Sequence, residues 1–357
     1  MSRKDNFESG ADSMSQKLNN VSSFKSQKDR FAATLRIGIS TCHCCYWYEV
    51  FRKRKFTSGL FFDNHWGSTE YPLLCWSSFP EIENLEDEQE CSVLCVYTKP
   101  ETVDYGGNVD IRFYSSVERK INERQEISEE DIQFVQRCLE SWSKDFITTF
   151  SHVLPEQFYY LLGSVHSALQ PAVRQAFNIP SDAQFQPWTK YLFSSENLPP
   201  EPPSPLKDSQ IDTIYRHHFD LVLASSPIPR TKEYLRSRIP VSTALYRDES
   251  RSRDPVAFCV TAPDRSLSIL WVDPSYRSQG AGKYVAYHRL SGNMGVADPL
   301  SSETVDSLKT DIRKGEMDGW SHADIAEDNA ASRRICNWLG SIKGWTVVWI
   351  RVHIIAS

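Results

Sequence analysis

Apolar residues recur along the chain with two periods. Between Glu129 and Phe150, Ile132, Val135, Leu139, Trp142 and Phe146 fall at helix-compatible spacing. Ser128 followed by Glu129, Glu130 and Asp131 supplies a cap and an acidic first turn, so the pattern predicts a helix over Glu129–Phe150. Cys91–Thr98 and Val109–Ser115 are short apolar runs that predict strands, and a second helix is expected over Gln157–Phe177. Further on, Ser209–Ala224 reads as a helix, Pro227-Ile228-Pro229 breaks it, and Lys232–Arg238 reads as a short helix. Val241–Arg247, Pro255–Ala262 and Ser266–Asp273 follow as strands. Their short connections imply an antiparallel meander. A Gly-rich turn then opens a helix over Lys283–Leu290. After a polar, partly helical stretch at 291–319 come a strand at Ser321–Ala326, a helix at Asn329–Leu339 stopped by Gly340, and a strand at Trp345–Val352. No internal repeat is visible in the sequence.

This order implies a mixed α+β fold with a mostly antiparallel sheet flanked by helices. A chain of 357 residues is long enough for two domains. The best boundary is Pro199-Pro200-Glu201-Pro202-Pro203-Ser204-Pro205, where five prolines in seven residues stiffen the chain and remove backbone donors. The expected organisation is a polar tail at 1–30, a first α/β domain at 31–198, a Pro-rich linker at 199–206 and a second domain at 207–357.

Composition narrows the function classes. Hydrophobic residues at 40% can build substantial cores, and a net charge of −6 argues against a nucleic-acid partner. The basic run Arg52–Lys55 is short and reads as a solvated turn or strand end. No stretch has the roughly 18 consecutive apolar residues of a membrane span, and the first residues lack an apolar signal core. Nine cysteines without regular spacing fit reduced thiols, and the expected compartment is the cytoplasm. Residues 1–30 are also rich in Ser, Lys and Arg, as a mitochondrial presequence would be, but they carry Asp5, Glu8, Asp12 and Asp29. Cys42-His43-Cys44-Cys45, with Cys75, Cys91 and Cys95, superficially resembles a set of metal ligands, but Tyr46-Trp47-Tyr48 continues it as an apolar strand, so no metal is expected. His217 and His218, adjacent on an expected helix, point apart.

The chemistry-bearing segment is Leu267 to Lys283, read as strand, turn and helix. Gly280 and Gly282 let phosphate oxygens approach the backbone, and the first amides of the helix point at the ligand. Arg277 and Lys283 add positive charge. A P-loop would need Gly at 277 and Ser or Thr at 284, where Arg277 and Tyr284 stand. A dinucleotide fingerprint would need a third glycine, where Val285 stands. An ordinary strand-to-helix turn remains the alternative for this segment alone.

The pattern Arg277-x-x-Gly280-x-Gly282 after a strand resembles the coenzyme A signature of the GCN5-related N-acetyltransferase (GNAT) superfamily. About 45 residues later, His322-Ala323-Asp324-Ile325, then Asn329-Ala330-Ala331-Ser332 and Leu339-Gly340, resemble its second motif. The resemblance covers about residues 207–352. A two-domain chain is also similar to the glycine N-acyltransferase-like branch, which would make 31–198 a degenerate copy of the same α/β domain.

The resemblance implies an acyl-CoA-dependent N-acyltransferase fold and activity, with acetyl-CoA or another short acyl-CoA as cosubstrate. The acceptor would be a primary amine of a small molecule or amino acid. The pyrophosphate would rest on Arg277, Ser278, Gln279, Gly280, Ala281, Gly282 and Lys283. The backbone amide of Val272, flanked by Trp271 and Asp273, would polarise the thioester carbonyl. Asn329 and Ser332 would contact the cofactor, and splaying between the third strand and Ser321–Ala326 would admit the pantetheine arm. His322 and Asp324, two apart on a strand, share a face, and either could take the amine proton. Seven residues after Asn329, where many members carry Tyr as the acid for the leaving thiolate, this chain has Cys336. Its thiol could serve as that acid or be a small core residue. Arg230, Arg236 and Arg238 could receive an acceptor carboxylate or be surface charges, and Asp264 reads as a turn residue. Two other readings stay open: a non-catalytic acyl-CoA-binding or regulatory protein, and a first domain that recruits a partner.

Overall fold

A computed structural model describes residues 59–62, 74–78, 91–98, 103, 106–122, 125–226, 228, 230–247, 254–262, 266–293 and 320–355. Residues 1–30, the Arg52–Lys55 run, the Cys42–Cys45 cluster, Asp264 and residues 294–319 lie outside them.

The first half of the chain contributes β1 (Gly59–Phe62), β2 (Leu74–Ser77), β3 (Ser92–Val96), β4 (Asn108–Ser115), α1 (Val117–Asn122), α2 (Glu129–Phe150), β5 (Gln157–His166), α3 (Gln170–Ala176) and β6 (Pro187–Ser194). The second half contributes β7 (Gln210–Asp212), α4 (Phe219–Ser225), α5 (Lys232–Arg238), β8 (Ser242–Tyr246), β9 (Ala257–Thr261), β10 (Leu267–Val272), α6 (Ala281–Asn293), β11 (Trp320–Ala326), α7 (Ala330–Trp338) and β12 (Ile342–Ile355). Together they form a mixed α+β architecture of two mostly antiparallel sheets flanked by helices.

α2 matches the sequence reading at both ends. Ser128 Oγ accepts from the Asp131 amide while the Asp131 side chain accepts from the Ser128 amide, a reciprocal capping box. The five apolar residues that predicted this helix are all buried against β4, β5 and β12, with Phe158, Tyr160, Ile350 and Val352. Burying each such side chain stabilises the fold by about 1.5–3 kcal/mol relative to exposure.

Two helix expectations are corrected. Residues 157–166 form β5, because Phe158, Tyr160 and Leu162 alternate into the core and aromatic residues suit a pleated surface. Helix begins only at Gln170. The stretch 209–224 opens with strand β7 and a 3₁₀ turn at 216–218 before α4 starts at Phe219. There Tyr215 Oη donates to Asp212 Oδ2, and Ser242 Oγ of β8 accepts from the Ile214 amide. These bonds hold the backbone out of helical geometry.

The topology contains a repeat that the sequence does not display. β1–β4 form an antiparallel meander, and β4 then pairs in parallel with β5. β7–β10 form a second antiparallel meander, and β10 meets β11 in parallel through one bridge, Ser266 to His322. A helix, a strand, another helix and a last strand complete each half. The last strands are exchanged: in the eight-stranded sheet the order is β5-β12-β6-β11, so β6 of the first half sits between two strands of the second, and β12 sits between two strands of the first. The Pro-rich segment joins the halves along the chain, but a cut at 199–206 would not separate them in hydrogen bonding.

In the four-stranded sheet, Phe258, Val260 and Ile269 face α4 and α5. Ala257 and Cys259 face the other way and pack with Ala281 and Val285 of α6. This sandwich sets β10 at the edge of its sheet, opposite β11 at the edge of the other.

Candidate active site

Beyond the Ser266–His322 bridge, β10 and β11 pair with opposite neighbours and leave a splay between them. The Asp273 amide donates to the Val256 carbonyl, extending the β9–β10 register in which Val272 stands opposite Ala257. Antiparallel ladders bond alternate residues, so the peptide groups of Val272 and Leu270 turn away from β9 and toward β11. Arg277 Nε donates to the Val272 carbonyl from that same side, at 3.2 Å. Val272, expected to present its amide to a thioester, therefore stands at the splayed edge. Trp271 points to the opposite face, stacked 5.1 Å from Phe258.

After Val272 the chain makes the turn expected from its glycines. Asp273 caps a 3₁₀ turn by accepting from the Ser275 amide at 2.8 Å, which gives this carboxylate a structural task. Gln279 Nε2 donates to the Ser275 carbonyl, and Ser278 and Gly280 both hold positive φ, 64° and 95°. A side chain at Gly280 would meet nothing within 4 Å, so its glycine is required by backbone conformation. At Gly282 the reason differs. A Cβ there would lie 3.1 Å from Ile335 and 3.2 Å from Val272, so this glycine allows α6, α7 and β10 to pack closely.

The first backward bond of α6 runs from the Tyr284 amide to the Gly280 carbonyl. The amides of Ala281, Gly282 and Lys283 precede it and have no intrahelical partner. The first turn of α6 carries no acidic residue. Lys283 Nζ lies 5.0 Å from the centre of the Trp338 ring, and exposed Arg277 stands at the start of the turn. Open amides, a favourable helix dipole and two cations suit a pyrophosphate.

The second motif folds as α7. Asn329 Oδ1 accepts from the Ser332 amide at 3.0 Å, so Asn329 is the N-cap and Ser332 its partner. The helix ends in a Schellman motif, with the Ser341 amide on the Cys336 carbonyl and the Gly340 amide on Asn337. Gly340 has φ 73°, and a Cβ there would fall 2.1 Å from the Asn197 carbonyl, so the Leu-Gly end of the motif seats the start of the Pro-rich segment.

The three residues expected to carry proton transfer are not brought together. Cys336 is buried with Tyr191, Ala286, Leu290 and Ala323, on the helix side of the sheet. Burial pushes its thiol up to about 12. Ala323 pairs with Tyr191, so its neighbours His322 and Asp324 project from the opposite side. On that side Asp324 faces Lys190 of β6 directly in register. Lys190 Nζ lies 2.8 Å from Asp324 Oδ1, and Ser164 Oγ donates to Asp324 Oδ2 at 2.6 Å. Burial raises the Asp324 pKa, but the charge of Lys190 and the hydrogen bonds from Lys190 and Ser164 outweigh it and hold the carboxyl below its usual range. With both oxygens engaged, Asp324 is a poor base. Lys190 and Ser164 are not legible as site residues in the sequence, because strand exchange brings them to β11 from the first half. The one local sign, Gly163 before Ser164 inside an apolar run, marks a break in β5.

Of the three arginines considered for an acceptor carboxylate, Arg238 is buried at 2% exposure. Arg236 is exposed beside Glu233, and Arg230 stacks on Tyr234 at 4.9 Å. His218 is buried, with Nδ1 accepting from the Tyr215 amide. Among the described residues Cys91 and Cys95 are buried, and no helix is long and apolar enough to cross a membrane.

No family model matches the chain, and no curated protein matches it. Solved structures do. A Drosophila protein is similar over 92% of this chain and 96% of its own, at 14% identity and a TM-score of 0.54, a likeness of fold alone. Two structures described as GCN5-related N-acetyltransferases match at lower similarity. The one from Sphaerobacter thermophilus covers 75% of this chain and 82% of its own at 13% identity, TM-score 0.39. The one from Kribbella flavida covers 73% and 86% at 11% identity, TM-score 0.41.

Proposed function

We propose that this protein is an acyl-CoA-dependent N-acyltransferase that passes a short acyl group to a primary amine of a small molecule or amino acid by direct attack. One juxtaposition carries the reading: the Val272 peptide at the splayed edge of β10 leads, through the Gly280 turn, into the acid-free N-terminus of α6. The first feature suits a thioester carbonyl and the second a pyrophosphate. The superfamily resemblance of residues 207–352 supports the same assignment, with 31–198 as a degenerate copy of the catalytic half.

In this reading the amides of Ala281–Lys283, with Arg277 and Lys283, hold the diphosphate. Asn329 and Ser332 serve the cofactor through the helix end they build. The Val272 amide stabilises the oxyanion that forms as the amine adds to the thioester carbon. Collapse expels the thiolate, which is protonated from solvent, since Cys336 is buried in an apolar cluster. Acyl-CoA supplies the activated acyl group and its thiol leaving group. The amine arrives from the Lys190 side of the sheet and must be neutral to attack.

Thiol release from acetyl-CoA across a panel of amines tests the activity. Turnover with at least one amine is the expected result. A non-catalytic acyl-CoA binder is the second reading, favoured by the engagement of both Asp324 oxygens. It predicts that coenzyme A raises the melting temperature while no amine is acylated. Absence of stabilisation by any coenzyme A thioester would overturn both.

A further inference from the structure

The buried network on the acceptor side crosses the boundary between the halves. Lys190 Nζ has three acceptors: Asp324 Oδ1 at 2.8 Å, Ser164 Oγ at 2.6 Å and His322 Nδ1 at 3.3 Å. An ammonium carries three protons and no lone pair, so these partners use every one. Ser164 accepts from Lys190 and sends its own proton to Asp324 Oδ2. The side chains of Lys190 and Asp324 are 3% and 7% exposed, and a buried ion pair persists only when its remaining hydrogen-bonding capacity is met. Ser164 holds φ 62°, a conformation that a non-glycine residue keeps only where its surroundings impose it.

This closed set constrains His322. If Lys190 donates to Nδ1, that nitrogen has its lone pair occupied, and a neutral ring must carry its proton on Nε2. We propose that Lys190 is a positioning residue that fixes His322 as a neutral imidazole with Nδ1 accepting and Nε2 protonated, so that His322 acts as a hydrogen-bond donor and not as the base. Lys190 reaches the ring from β6, its other two acceptors being Asp324 on the strand of His322 and Ser164 on β5, and uncharged Ser266, just before β10, bridges the His322 backbone. The part that concerns acyl transfer rests on the function proposed above; the protonation state of the ring does not. In catalysis, the amine then loses its proton to water, and the rate follows the ionisation of the amine without an imidazole step.

¹⁵N-edited NMR of the full chain without coenzyme A reads the ring directly, with His322→Gln identifying its signals. The expected result is an unprotonated Nδ1 and a protonated Nε2 from about pH 6 to about pH 8. A doubly protonated ring, or a proton on Nδ1, at neutral pH in the unaltered protein would overturn the proposal. In Lys190→Met, Asp324 remains without its cation, and His322 should become doubly protonated with a midpoint at or above about 6.5. Lys190→Arg should retain the original tautomer. A signal unmoved by Lys190→Met would also overturn the proposal. If that variant does not fold, the tautomer of the unaltered protein decides alone. If the enzyme turns over, Lys190→Met should add an imidazole limb to the pH profile of kcat/KM. Loss of coenzyme A binding or turnover with the tautomer as expected would count against the proposed function and leave this assignment standing.

Discussion

The two halves share a topology and differ at two points, the start of one helix and the seam between two parallel strands. In the first half, α2 begins with Glu129, Glu130 and Asp131, and Ser128 and Asp131 use the terminal amides in a capping box. Lys120 pairs with Asp131 from α1. Three carboxylates there repel a phosphate, and the capping box engages the Ser128 and Asp131 amides. β4 and β5 are also zipped together from Asn108 to Arg112. In the second half, α6 has no acid in its first turn, and β10 leaves β11 after one bridge. On the proposed function the halves share a fold without sharing a ligand, and the occupancy of a helix end and the pairing of one seam make the difference.

The contrast between the halves predicts measurable differences. The largest expected effect follows from strand exchange. A fragment starting at the Pro-rich segment lacks β6, which lies between β11 and β12, and so loses the centre of its sheet. It should show no cooperative thermal transition by circular dichroism. A folded fragment that still binds coenzyme A would show that the halves are independent.

Next come the glycines of the second half. Gly280→Val forces a β-branched residue to φ near 95°, a penalty of at least about 1–2 kcal/mol, and should weaken coenzyme A binding about tenfold or more by calorimetry. Gly282→Val should act on stability instead, by about 1–3 kcal/mol, because its side chain would strike Ile335 and Val272. Equal affinity in Gly280→Val and the parent would refute the assigned turn.

Giving the second half one acid of the first tests the electrostatic contrast. Gln279→Glu adds a carboxylate at an exposed position before α6. It should weaken coenzyme A binding about threefold to tenfold, less at high salt. In the first half, Ser128→Ala removes the cap but leaves all three acids, and should lower stability by about 1 kcal/mol in a melt without creating a second coenzyme A site.

The smallest effects lie in the pH dependence of stability. Burial lowers the pKa of His166 from 6.5 to about 4. A histidine with a depressed folded-state pKa binds its proton more readily when unfolded. Its contribution is complete above pH 6.5 and is lost as pH falls toward about 4. The Asp131 carboxyl is raised by burial but pulled down by Lys120 and Ser128, to about 2 from 3.8. Its contribution is complete above that ordinary value and is lost as pH falls toward about 2. His166→Gln should flatten the upper part of the acid limb in a melting-temperature profile, and Asp131→Asn the lower part. Unchanged limbs would mean that neither group titrates as its surroundings dictate.

Local patterns are legible in the sequence alone. The ends of α2, the span of α5, the meander β8–β10, the Gly280 turn and the cap and stop of α7 each depend on residues within a few positions of one another. Hydrophobic period, capping chemistry and glycine placement therefore identify them. β5 reads as a helix because its alternation is blurred by Leu161-Leu162 and broken at Gly163-Ser164, and its strand character comes from burial against α2 and pairing with β12. β7 is only three residues long and exists because β8 pairs with it.

By itself, then, the sequence determined the strand-turn-helix that suits a diphosphate, the helix ends and the break at the prolines. Tertiary structure alone decided that β6 and β12 exchange, that β4 and β5 close where their counterparts splay, and that Lys190 and Ser164 reach Asp324. Capping and turn chemistry act between near neighbours, whereas strand order sets Ile355 beside Gln157 and the buried network joins Ser164 and Lys190 to Asp324, contacts between distant residues that only packing makes.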